Sequence, residues 1–155
     1  MSGRYRKKAG ILLDIGCGEG KQRGFVGMDR RKLKNVDIVH DVEKFPWPLD
    51  KESVIQALAS HLIEHIKPWK FLGFMDEVWR VLKPESQFFI SMPYGSSKGF
   101  QQDPTHCNMC NEVTWQYFDP DYPLYGIYKP KPWKVERLVW VPHGNMEVVV
   151  SKRKK

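Results

Sequence analysis

The chain has no uninterrupted apolar stretch near the ~18 residues that a membrane-spanning helix needs, which argues against an integral membrane protein. Its charged opening, MSGRYRKK, is not followed by an apolar core, so a secretory leader is not expected. Cysteine is scarce. Cys17, Cys107 and Cys110 cannot all pair, and a disulfide scaffold would be denser, so a reducing, cytoplasmic setting is expected. Internal repeats and low-complexity blocks are also missing. Both ends lack acidic residues: residues 1–8 carry Arg4, Arg6, Lys7 and Lys8, and residues 151–155 carry Lys152, Arg153, Lys154 and Lys155. These eight of the 25 basic residues leave 17 in the body against 18 acidic ones, so the net charge of +7 belongs to the ends. Basic tails over 1–10 and 151–155 suit either a polyanion held by counterion release or simple solubilisation.

What is present suits one domain over 11–150, since 155 residues at 41% hydrophobic content can bury a real core. Ile11 to Ile15 is a short apolar run stopping at glycine, as in a strand buried on both faces. Residues 25–28, 36–40 and 54–59 read as the next strands, with Ser60 capping the helical stretch that follows. Pro68 fits the first turn of a longer helix, along which Phe71, Leu72, Met75, Val78, Trp79 and Leu82 recur at helical spacing. KPES stops that helix, and QFFISMP (87–93) is a fifth strand. The irregular segment 94–133 is too long for an idle connection and is expected to cover a site. VERLVWVPHGNMEVVVSK reads as a closing hairpin. The pattern predicts a mainly parallel α/β sheet with antiparallel strands at one edge. Ligands bind such sheets beyond the carboxyl ends of the strands. Those ends carry Asp14 and the glycines, Asp29, His40–Asp41, Ser60–His61 and Pro93–Tyr94.

Gly16, Gly18 and Gly20 form a G-x-G-x-G turn, which lets backbone approach a ligand closely. Asp29, at the next strand end, can accept from ribose hydroxyls, and Asp41, at the third, from an adenine amino group. Together they form an adenosine-shaped set. A dinucleotide site would place its pyrophosphate on the helix after the glycine turn. Here KQR and Gly24 leave no room for one. A ligand without phosphates needs that helix dipole less.

LLDIGCGEG, the acid at Asp29, VHDVEKFPWP, ALASHLIEHI and EVWRVLKPESQFFISMP together resemble class I S-adenosylmethionine-dependent methyltransferases. The likeness is nearest to the small bacterial and phage-type group with a D-I-G-C-G loop and an S-H-x-x-E-H segment. It spans about residues 11 to 93, and more loosely DPTH and TWQYFDP. It implies a Rossmann-like methyltransferase fold with S-adenosylmethionine as cofactor and S-adenosylhomocysteine as product. By position it implies Asp14, Gly16, Cys17 and Gly18 at the methionine portion, and Asp29 at the ribose flanked by Met28 and Arg30. Asp41 and Val42 would meet the adenine edge, and Ser60 and His61 the transferred methyl. Two features depart from the family pattern: the first crossover helix is missing or very short, and KPES replaces a glycine-rich turn.

Methyl transfer from a sulfonium needs mainly positioning, and a base only where the acceptor must lose a proton. His61 and His65 lie four apart on the expected helix and so share a face; His61 is the candidate base and His65 a structural contact. Asp103 and His106, in QDPTHCN, are further candidates for substrate contact. HCNMC (106–110) resembles half a zinc site, but no second half exists in the sequence, so no metal is assigned. For the acceptor, the fourth strand lacks the Asn/Asp-Pro-Pro-aromatic signature of DNA amino-methyltransferases. A Pro-Cys pair for cytosine C5 chemistry and the ribose 2'-O set are missing too. The basic ends, and YKPKPWK (128–134) with its interleaved aromatics, point to RNA or DNA. A small-molecule acceptor and a non-catalytic binding module are the alternatives.

Overall fold

The structure, a computed structural model, describes residues 10–154. The N-terminal basic residues expected to contact a polyanion lie outside the described residues, as does Lys155. Seven strands form one sheet: β1 (Ile11–Ile15), β2 (Val26–Asp29), β3 (Ile38–Val39), β4 (Val54–Ser60), β5 (Leu82–Pro93), β6 (Trp133–Trp140) and β7 (Asn145–Lys152). Their order is β3-β2-β1-β4-β5-β7-β6, parallel from β3 to β5 and antiparallel through β7 and β6. The mainly parallel sheet with a C-terminal hairpin is therefore as expected. So is the reduced first crossover: residues 16–25 hold only turns and bends between β1 and β2.

The one long helix among the described residues, α1 (Pro68–Val81), joins β4 to β5, with Pro68 in its first turn. Phe71, Phe74, Met75 and Val78 bury one side of it against Leu13, Ile15, Ala57, Phe88 and Val150, the alternate residues of the strands. Trp47, Trp115, Phe118 and Trp133 complete this layer and are buried. On the opposite sheet face, Leu12, Leu58, Phe89 and Val149 are only half-buried, and Ile55 and Val139 are exposed. Parallel sheets are ordinarily covered on both faces; here the central strands are well covered on one.

Several expectations need correction. The third strand is Ile38–Val39 rather than 36–40, because Val36 N–H turns back to the Leu33 carbonyl and the Asp37 carboxylate caps Gly27 N–H. KPES follows the end of α1 but lies within β5, at a register shift where Glu85 takes a φ of 65°. Residues 94–133 contain α2 (Lys98–Gln101), a 3₁₀ turn over Glu112–Tyr117 and α3 (Tyr125–Tyr128). Much of this segment supplies core through Trp115, Phe118 and Trp133, and only its stretch around Thr105 and Cys107 borders a cleft.

The C-terminal end is not a free basic tail. Lys152 is buried within β7, and Arg153 reaches the Asp119 carboxylate at 2.7 Å as well as Asp121. Lys154 pairs with Glu85 at 3.0 Å. Among the described residues, no helix is long and apolar enough to cross a membrane.

Candidate functional site

A cleft of about 600 Å³ opens beyond the carboxyl ends of β1, β2, β3 and β4, the size expected of a small-molecule site. Of the eleven residues assigned to the cofactor from sequence, Gly16, Asp29, Arg30, Asp41, Val42 and His61 line it. The other five do not. Met28 points into the core, fully buried, on the sheet face opposite Asp29. Asp14 braces the glycine turn from behind by accepting from Gln22 N–H at 2.8 Å, and burial raises its carboxyl above the usual range. Cys17 packs its sulfur over Gly27, and burial, reinforced by Asp14 and Asp29, pushes the thiol up to about 11. Gly18 supports Asp29 through its backbone, and Ser60 ends β4 outside the lining.

The glycine turn has its shape for two reasons. Gly16 has a φ of 68°, and its N–H donates to the Met28 carbonyl at 2.7 Å, tying the turn to β2. An added Cβ there would meet Leu62 Cδ1 at 2.8 Å. Gly16→Ala is therefore expected to lose about 2 kcal/mol of stability, from left-handed strain plus overpacking, read as a lower urea midpoint.

Asp29 is held in place by the turn it faces. Its Oδ2 accepts from Gly18 N–H at 2.9 Å and its Oδ1 from Arg31 N–H at 2.9 Å and Arg31 Nε at 3.2 Å. Burial alone would raise this carboxyl, but the bonds from Arg31 and Gly18 outweigh it and hold it below the usual range. Asp41, at the end of the next strand connection, closes a tight turn by accepting from Glu43 N–H at 3.0 Å through one oxygen, Oδ1. Glu43 in turn accepts from Lys67 N–H at 2.7 Å and Lys67 Nζ at 3.0 Å, which ties the third strand connection to the start of α1.

The S-H-x-x-E-H segment is not the helix expected. Ser60 is the last residue of β4 and caps nothing. His61 takes a left-handed φ of 52°, and only Ile63–His65 form a 3₁₀ turn, without a side-chain cap. His61 and His65 thus do not share a helical face. His61 Nδ1 lies 3.2 Å from Glu64 Oε1, while His65 Nδ1 lies 3.1 Å from Thr105 Oγ1. The left-handed residue turns Glu64 inward, where it is fully buried. Sequence reasoning passed over Glu64; its place between two histidines was the available signal.

The segment 103–108 straps onto this turn, with Cys107 and Asn108 N–H groups donating to the Glu64 carbonyl at 2.8 and 3.1 Å. Thr105 and Cys107 thereby join the cleft wall, while Asp103 and His106 stand just outside it. The two thiols of HCNMC part company. Cys107 is exposed with its sulfur toward the Ile66 carbonyl, and Cys110 is buried, its thiol pushed up to about 12 by burial.

No protein-family model and no curated protein matches the sequence. Solved structures do. A methyltransferase from Archaeoglobus fulgidus dependent on S-adenosylmethionine matches with a TM-score of 0.67 at 16% identity, over 91% of this chain and 85% of that one. The Burkholderia thailandensis 1,6-didemethyltoxoflavin-N1-methyltransferase, solved with its substrate and S-adenosylhomocysteine, matches with a TM-score of 0.66 at 12% identity, over 93% and 71%. The YcgJ protein of Bacillus subtilis matches at 0.64 and 13%, over 95% and 94%. At these identities the likeness is one of fold. The chain carries the fold of S-adenosylmethionine-dependent methyltransferases in a form reduced to one long crossover helix.

Proposed function

We propose that the chain binds S-adenosylmethionine in this cleft and transfers its methyl group to a small acceptor. The observation that carries the reading is the convergence of Gly16, Asp29 and Asp41, from three successive strand ends, on one cleft of about 600 Å³. In this reading the Asp29 carboxylate takes the ribose hydroxyls and Asp41 takes the adenine amino group. The Gly16 turn lies against the methionine portion. The missing helix after β1 removes a dipole that a ligand without phosphates does not use. His61 stands at the end of β4 with one ring nitrogen toward Glu64. Its other nitrogen is left to take a proton from the acceptor as the methyl carbon–sulfur bond breaks and its electron pair returns to sulfur.

A small acceptor is preferred because, among the described residues, most of the basic groups that pointed to nucleic acid are engaged within the fold. Lys131 lies over the Trp79 ring, Lys134 pairs with Glu136, and Trp133 of the same segment is buried. Lys152, Arg153 and Lys154 are paired as well. One observation favours a phosphate-bearing acceptor instead: Arg30 lines the cleft, and Lys32 and Lys34 stand exposed beyond it.

Calorimetry with S-adenosylmethionine and S-adenosylhomocysteine, followed by labelled-methyl transfer to RNA, DNA and a metabolite extract, tests both levels. We expect cofactor binding, with label in the metabolite fraction. No binding at millimolar ligand would sink the enzyme reading, and label in RNA or DNA would overturn the small acceptor.

A further inference from the structure

We propose that Glu64, His65 and His106 form a Zn²⁺ site at the edge of the cleft, which His65 lines. One ligand atom from each lies within 4.8 Å of the other two. Small side-chain rotations from there reach a common ion, which holds such ligands at about 2.0–2.2 Å.

Three features of the chain support the assignment. The first is Glu64. It is fully buried, its Oε1 faces His61, and its Oε2 has no hydrogen-bond partner. A buried polar oxygen left without a partner is costly and rare, and a cation held by the two adjacent imidazoles supplies one.

The second is the protonation pattern of the histidines. His106 Nδ1 lies 2.9 Å from the Phe100 carbonyl, which can only accept, so this nitrogen donates, and in the neutral ring the lone pair sits on Nε2. Thr105 Oγ1 donates to Asp103 Oδ1 at 2.7 Å, so its remaining role toward His65 Nδ1 is to accept. His65 therefore also keeps its lone pair on Nε2. Bonds of this kind at the second ring nitrogen are what orient metal-ligating histidines.

The third is rigidity. The backbone bonds from Cys107 and Asn108 to the Glu64 carbonyl fix the strap that carries His106, and the His65 and His106 ring centroids stand 4.7 Å apart.

Two imidazoles and one carboxylate suit Zn²⁺, whereas Mg²⁺ and Ca²⁺ prefer all-oxygen shells. Three protein ligands leave a fourth position open, as in catalytic rather than structural zinc sites. His65 is exposed and lines the cleft, so that position faces the cleft. It would hold water or an oxygen of the acceptor. This last role rests on the methyl-transfer reading, but Zn²⁺ binding does not. Asp103 Oδ2 lies 3.6 Å from His106 Nε2. HCNMC thus contributes its histidine and neither of its thiols.

The test is calorimetric titration of Zn²⁺ into the untagged, chelator-treated full chain, without cofactor. We expect one Zn²⁺ per chain, and affinity at least about tenfold weaker in each of Glu64→Gln, His65→Ala and His106→Ala. Cys107→Ser should bind as the parent does. Circular dichroism checks folding, and His65, being exposed, can be replaced without disturbing the core even if the buried Glu64 cannot. A folded parent chain that takes up no Zn²⁺ overturns the site. So does uptake that survives both histidine substitutions, or uptake lost in Cys107→Ser alone. With no cofactor present, failure here leaves the methyl-transfer reading standing, and failure to bind S-adenosylhomocysteine leaves this site standing.

Discussion

An Asp29→Ala variant is expected to bind S-adenosylhomocysteine about 100-fold more weakly than the parent chain. A hydrogen bond to a charged acceptor contributes about 1.5–3 kcal/mol, and about 1.4 kcal/mol is tenfold in affinity. Loss of one ribose bond thus accounts for roughly tenfold, and two for roughly a hundredfold or more. The bonds from Arg31 and Gly18 hold the carboxyl below its usual range against the effect of burial, so at neutral pH it is ionised and can only accept. That is the state two ribose hydroxyls require. Removing it also releases Gly18 N–H and Arg31, which loosens the glycine turn. Asp29→Asn separates the two effects: its amide oxygen keeps one acceptor, so it should fall between parent and Asp29→Ala. Calorimetry beside a thermal melt is the measurement. Unchanged affinity in a folded Asp29→Ala would show that the ribose lies elsewhere.

What the sequence disclosed, and what it hid, follows from how local each signal is. The run Ile11–Ile15 closing on glycine could be read because burial on both sides of a strand and a left-handed turn are properties of a few adjacent residues. The acids at strand ends and the closing hairpin were legible for the same reason. His61 was not. Its left-handed backbone leaves no mark in SHLIEH, which spells a helix by spacing, and the 3₁₀ turn exists because residues 107 and 108 bind the Glu64 carbonyl from more than forty positions away. Met28 was misplaced by a related error. Adjacent strand residues point to opposite faces, so Met28 and Asp29 could not both face the same ligand. The long segment 94–133 gave only its irregularity, and its role in the core emerges from Trp115, Phe118 and Trp133 packing near Phe71 and Phe88. HCNMC suggested sulfur ligands by spacing alone, whereas the fold separates its thiols.

The basic C-terminal end is where charge counting misled most, and it carries the second large prediction. Truncation after Ser151 should unfold the chain or lower its melting temperature sharply, and Lys152→Ala alone should cost about 3 kcal/mol, most of what its buried hydrogen bond and cation–π contact contribute. Lys152 is 2% exposed. Its ammonium donates to the Leu82 carbonyl at 2.7 Å, meets Glu52 Oε1 at 3.3 Å and lies 4.0 Å from the centre of the Trp79 ring. A charge-assisted bond and a desolvated cation–π contact are each worth about 2 kcal/mol. Alanine removes both and leaves the Leu82 carbonyl, at the end of α1, without this donor. Arg153 adds a clasp: its Nε donates to the Trp133 carbonyl at 3.0 Å, while its terminal nitrogen reaches Asp119 and Asp121. The end of β7 therefore holds together α1, the start of β6 and the loop at 119–121. Against folding free energies of about 5–15 kcal/mol, losing all of this is severe. A free polyanion-binding tail makes the opposite forecast. Its removal would leave the melt unchanged and flatten the salt dependence of nucleic-acid binding by about 0.9 log units per lost charge. Urea denaturation of Lys152→Ala, beside a salt titration of the parent chain with duplex DNA, decides between a structural clasp and an electrostatic arm.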